Sequence, residues 1–159
     1  MAEITASMVK ELRERTGAGM MECKNALVQA KGDMAQAEDI IAKTSQGKAA
    51  KKASRTAAEG RIVVAISPTA IAMVEINCET DFVGKDDSFV QFCQQVANGA
   101  LANHVKEMPA LLEIKLESGN TIEDARKSLI ARLGENIQIR RLVELSAEKK
   151  SNHGILRAQ

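Results

Sequence analysis

Aromatic side chains are almost missing from this chain of 159 residues, which has three Phe and neither Tyr nor Trp. Proteins that grip single-stranded nucleic acid spend aromatics on base stacking. Their scarcity counts against that mode of binding, though not against contact with phosphates. Charge of one sign is also missing. The formal net charge is +1, so bulk electrostatics demand neither a nucleic acid nor a membrane surface as partner. Cysteine is sparse and odd in number: Cys23, Cys78 and Cys93. No CxxC pair occurs, so neither a disulfide framework nor a zinc site is indicated. Free thiols fit a reducing cytoplasm. No apolar run approaches a membrane-spanning length, and the opening MAEITASMVKELRERTG carries charges throughout, unlike a secretory leader. Catalytic signatures are absent as well. There is no phosphate-binding loop, dinucleotide fingerprint or nucleophile elbow. His104 and His153 stand alone, outside any motif. The glycines of TGAG (Thr16 to Gly19) lack the Lys-Ser/Thr of a phosphate cradle and read as a tight turn. The sequence predicts a protein that is not an enzyme and needs no cofactor or metal.

What is present is the balance of a globular protein, 45% apolar and 27% charged. Three short helices come first. Thr5 caps one whose apolar stripe is Met8, Val9 and Leu12, with Glu11 and Arg15 paired at i,i+4 outside. Gly17 stops it. Met20, Cys23, Leu27 and Ala30 mark a second helix, which Gly32 ends. Asp33 caps a third, with Met34, Ala37, Ile40 and Ile41 at helical spacing. This module covers residues 1–46. A basic stretch with Lys48, Lys51, Lys52 and Arg55 follows, a linker or helix over 47–60. It reads as a solvated segment rather than an RNA contact.

A β pattern comes next. Ile62 to Ile66 alternates, Ser67-Pro68-Thr69 turns, and Ala72, Val74, Ile76 and Cys78 share one face of a second strand. Asp86 or Asp87 caps a long amphipathic helix from Phe89 to Val105. A looser stretch surrounds Pro109. Thr121 and Asp124 open another helix with the stripe Ile122, Ala125, Leu129 and Leu133, and Gly134 closes it. Residues 137–145 form a third strand. The fold class is α+β: a helical bundle, then a small antiparallel sheet packed with helices over 61–148. The tail, 149–159, is polar.

Two features escape this periodicity. Phe82, in the loop CETDFVGKDD, belongs to no apolar face. It either folds back over the sheet edge or projects as an anchor on a loop held by a rigid scaffold. Met20 and Met21 point about 100 degrees apart on a helix. Either both pack within the bundle, or at least one is an exposed, adaptable contact.

Three stretches then resemble one family. LRERTGAGMMECKNAL (Leu12 to Leu27) and VEINCETDFVGKDDSF (Val74 to Phe89) look like the two signatures of bacterial elongation factor Ts. GENIQIRR (Gly134 to Arg141) is similar to a third block, in the same order. The resemblance implies a ubiquitin-associated-like helical module and the N-terminal subdomain of the family's core. It implies a translation factor in the cytoplasm, a guanine-nucleotide exchange factor whose partner is elongation factor Tu, GDP-bound or nucleotide-free. No membrane and no direct nucleic-acid partner is expected. A homodimer is associated with the full-length family rather than with this half. By match to the motifs, Arg13, Met20, Met21 and Lys24 dock on the partner. Asp81, Phe82 and Val83 reach toward its magnesium and phosphate site, with Phe82 as wedge. Leu133 and His153 match further contact positions. Gly84 stands where the family usually has Ala. The chain stops near the middle of the family pattern, where another strand is expected.

Overall fold

The computed structural model describes residues 3–147 and 156–158. They form an α+β chain that divides into two compact units. The first takes the residues up to 55 together with 126–136, and the second takes 56–125 with those from 137 onward.

The first unit is built on α1 (Ala6–Thr16), α2 (Met20–Gln29) and α3 (Met34–Lys52). Their ends follow the caps expected from sequence. The Thr5 hydroxyl accepts from the Met8 amide at 3.3 Å. Gly17 takes the left-handed conformation, φ 69°, and its amide donates to Arg13 O at 2.8 Å. Asp33 accepts from the Gln36 amide at 2.9 Å. The α2–α3 turn differs from expectation. It uses two left-handed residues, Lys31 (φ 53°) and Gly32 (φ 87°), while the Gly32 amide closes on Leu27 O at 2.9 Å. A lysine there bears the strain that glycine avoids.

Leu12, Cys23, Leu27, Ala37 and Ile41 form the core of this bundle. Helix α3 continues through the basic stretch to Lys52. Ser45 and Ala49 are buried, and Lys48 pairs with Glu22 at 2.9 Å. That part of the stretch is therefore packed helix and not flexible linker. Nearby in the same unit, the buried Asn136 amide donates to Arg55 O at 2.7 Å and Ala53 O at 3.4 Å. These bonds fasten the end of the segment.

The second unit centres on an antiparallel sheet of β1 (Glu59–Ile66), β2 (Ala70–Cys78), β3 (Gln138–Ala147) and β4 (Leu156–Ala158), in that spatial order. The sequence reading left the tail unassigned, and β4 lies in it. Ala65, Ala72, Val74, Ile76 and Cys78 are buried. So are Phe89, Phe92, Cys93, Val96, Ala97 and Ala100 of α5 (Asp87–Ala102), the helix packed on the sheet. Asp86, not Asp87, caps α5, accepting from the amides of Ser88 at 2.9 Å and Phe89 at 3.3 Å. Short α6 (Met108–Leu112) accounts for the stretch at Pro109, and α7 (Ile122–Leu133) follows. Thr121 caps α7 and Gly134 ends it at φ 78°.

The other sheet face is open and largely apolar, with the Arg141–Glu75 ion pair on it. Val64, Met73 and Val143 stand side by side across three strands, with Ile62 and Ile66 beside them on β1. The segment expected as a loop before α5 holds one more helix, α4 (Asp81–Lys85).

Candidate partner-binding surfaces

The first surface grows out of the α1–α2 turn. Gly17 reverses the chain and Gly19 stands at the N-cap of α2 without a side-chain cap. Helix α2 therefore starts at once with Met20 and Met21. Both side chains are exposed, at 54% and 65%. The alternative in which both pack within the bundle is excluded. Its apolar face is instead made by Cys23, Ala26 and Leu27. Arg13 and Lys24 are also exposed. Leu133 is half-buried in the last turn of α7. Its neighbour Arg132 places Nη1 3.8 Å from where a Gly17 side chain would begin, so that turn lies beside the α1–α2 turn. Five of the residues named from sequence thus belong to one unit. Four are on open surface, and the two methionines offer unbranched, polarizable side chains suited to an irregular contact.

The second surface is α4. Thr80 supplies its N-cap, accepting from the Val83 amide at 3.4 Å, and the Gly84 amide closes the turn on Thr80 O at 3.1 Å. Val83 and Gly84 turn inward and are buried. Val83 is thus the footing of this helix rather than part of its outer surface. Phe82 points the other way and is 84% exposed. The fold-back alternative is thereby excluded. Asp81 beside it is ion-paired with Lys85 at 2.9 Å. The Lys85 hydrogen bond and charge hold the Asp81 carboxyl below the usual carboxylate range, so it is anionic at neutral pH.

One residue absent from the sequence reading holds this helix, and another shapes the strand beside it. The Arg61 guanidinium donates from Nε to Gly84 O at 2.6 Å. Gly60, at φ 140°, lets β1 pass so close to β2 that a Cβ would lie 2.1 Å from Ile76 O. Strand periodicity held the signal for Arg61. It shares a side of β1 with the buried Ala65, where an apolar residue would be expected.

The remaining chemical groups are structural. His104, left-handed at φ 50°, contacts the buried Glu144 carboxylate through Nδ1 at 2.9 Å. His153 lies outside the described residues. Burial pushes the Cys23 thiol up, and the Cys93 thiol up to about 12. Neither is a thiolate nucleophile at neutral pH. Among the described residues, no cluster of three His, Cys, Asp or Glu side chains is placed to hold a metal ion. No helix among them is long and apolar enough to cross a membrane.

Comparison with known proteins gives a consistent answer. The family model described as "Elongation factor TS" matches residues 79–155. Elongation factor Ts of Arthrospira platensis is 58% identical over 151 residues, covering 93% of this chain and 61% of that protein. The Alcanivorax borkumensis protein of the same name is 57% identical, covering 89% and 50%. That of Xanthomonas oryzae is 54% identical, covering 91% and 50%. The chain thus spans about half to three-fifths of the length of the curated relatives it matches.

These matches group the chain with proteins named as elongation factors. Within that class it belongs to the elongation factor Ts family.

Proposed function

We propose that the chain binds elongation factor Tu in the cytoplasm and promotes release of GDP, without covalent chemistry of its own. The helical unit docks through Met20 and Met21, with Arg13, Lys24 and Leu133 around them. Helix α4 brings Phe82 and Asp81 to the magnesium and phosphate end of the partner's nucleotide site, a role implied by the family resemblance. The exposure of Phe82 on a helix whose other side is buried carries this reading. A phenyl ring left in water forgoes the roughly 1.5–3 kcal/mol of burying it, and that free energy is recovered only in a partner's pocket. The anionic Asp81 beside the ring can compete for the partner's hydrogen-bond donors or disturb its magnesium ligation.

Exchange requires negative coupling. GDP and the factor must each weaken the other's binding to the partner by the same ratio. A hundredfold weakening corresponds to about 2.7 kcal/mol. One desolvated aromatic wedge is of that order.

The test is stopped-flow release of a fluorescent GDP analogue from elongation factor Tu as this chain is titrated in. We expect concentration-dependent acceleration, and Phe82→Ala should lower the rate at saturation at least tenfold, about the loss of one anchoring contact. Wild-type rates from Phe82→Ala would remove the wedge role. A second reading is favoured by the exposed pair Met20 and Met21, which belongs to a different unit from Phe82. In that reading the chain docks without driving exchange. Binding without acceleration would select it.

A further inference from the structure

We propose that Arg61 is a positioning residue for Phe82: by holding the carbonyl end of α4 it fixes the angle at which the ring is presented. The inference rests on the exchange reading above and adds to it a residue outside the motif.

Arg61 stands opposite Ile76 in the β1–β2 ladder. Directly opposed residues share a sheet face, and Ile76 is fully buried on the side that α5 covers. The Arg61 side chain therefore leaves an edge strand on the same side, where α4 lies against β1. Its charge is felt by the buried Cys93 thiol, partly opposing the effect of burial there. From that position Nε donates to Gly84 O at 2.6 Å.

Helix α4 needs such a hold. It has five residues, far fewer than a helix needs to persist alone. Its last carbonyls lack partners within the helix, and a cation is favourable at that end. At that end the Asp86 amide donates to Val83 O at 3.0 Å, and Arg61 donates to Gly84 O. The Thr80 hydroxyl serves the first turn, and Val83 packs underneath. Phe82, almost wholly exposed, does nothing to hold itself. Without Arg61 the helix keeps its footing but gains freedom to fray and tilt about Val83. The ring then samples a wider arc, and few of its orientations enter the partner productively. A loss of pre-orientation lowers the rate within the complex, not the affinity of the docking surface on the other unit.

The experiment uses the full chain with Arg61→Met, which keeps the stem but loses donor and charge. Arg61→Lys restores a cation able to reach the carbonyl, and Phe82→Ala is the control. Stopped-flow release of the GDP analogue gives a maximal rate and a half-saturating concentration for each. Amide hydrogen exchange reports α4 directly. For Arg61→Met we expect the maximal rate to fall about 3- to 10-fold, with half-saturation within about twofold. Protection should drop at the amides of Gly84 and Asp86, while those of α1 to α3 are unchanged. Arg61→Lys should recover most of the rate.

Wild-type rate and protection in Arg61→Met would overturn the proposal. So would an equal loss in the Met and Lys variants accompanied by equal drops in melting temperature, which marks a role in folding alone. If Phe82→Ala is as fast as wild type, the wedge role of Phe82 fails instead, and with it the link from Arg61 to exchange. If the wild-type chain does not accelerate release, exchange at Gly84 and Asp86 still decides whether Arg61 holds α4.

Discussion

Gly60 precedes Arg61 on β1 and Gly84 lies in α4, yet a methyl group acts oppositely at the two. At Gly60 the backbone is in the left-handed half of conformational space, and a Cβ would lie 2.1 Å from Ile76 O. Neither strand of the ladder can withdraw without breaking its pairing. Gly60→Ala should cost about 3 kcal/mol, seen as a fall of roughly 10 °C in melting temperature. At Gly84 the backbone is helical and the nearest atom to a new Cβ is Cys78 Sγ at 3.7 Å, an ordinary contact. Gly84→Ala should stabilise by about 0.5–1 kcal/mol, because alanine has less freedom to lose in a helix. A drop in melting temperature for that variant would contradict the packing described here.

Residue-scale features were unevenly legible in the sequence. Phe82 stood out because it fitted no period. The roles of Gly60 and Arg61 did not, because each depends on a neighbour distant along the chain.

At the scale of elements, caps carried most of what could be read. Thr5, Gly17, Asp33, Thr121 and Gly134 mark helix ends where the residue types indicated. Asp86 and Asp87 were both able to cap α5, and geometry selects Asp86. Its carboxylate takes two amides of α5, while its own amide donates to Val83 O at 3.0 Å. One residue thus joins α4 to α5. Asp86→Ala should cost about 1 kcal/mol, measurable as a lower urea midpoint with unchanged slope.

Helix α4 itself was invisible from sequence. Five residues complete too little of a turn pattern for periodicity to register. The strain at Lys31 was hidden for a related reason, since the glycine beside it accounted for the turn on its own. Helix α3 was drawn too short because lysine-rich composition resembles a linker. What extends it is burial of Ser45 and Ala49, which are small and carry little apolar signal.

For the molecule as a whole, the α+β class followed from two periods in sequence, helical first and then alternating. The grouping of residues 126–136 with the first unit did not, because it is a matter of long-range contact. The three cysteines offer a way to follow the units separately. Cys23 is buried in the first, and Cys78 and Cys93 in the second. Burial also keeps the Cys23 and Cys93 thiols protonated. The native chain should therefore resist a thiol reagent at about pH 8, and labelling should report opening. Mass spectrometry across a urea series gives the order. If the units open independently, Cys23 and Cys93 become reactive at different urea concentrations. Rapid labelling of Cys93 in buffer alone would contradict its burial.

The open sheet face has a practical consequence. With no Trp or Tyr, the chain has almost no intrinsic fluorescence, and hydrophobic dyes are the natural substitute. Ile62, Val64, Ile66, Met73 and Val143 give such dyes a landing site on the fully folded sheet. Bright dye emission, normally taken as the mark of a molten globule, is here a property of native packing, and urea should dim it.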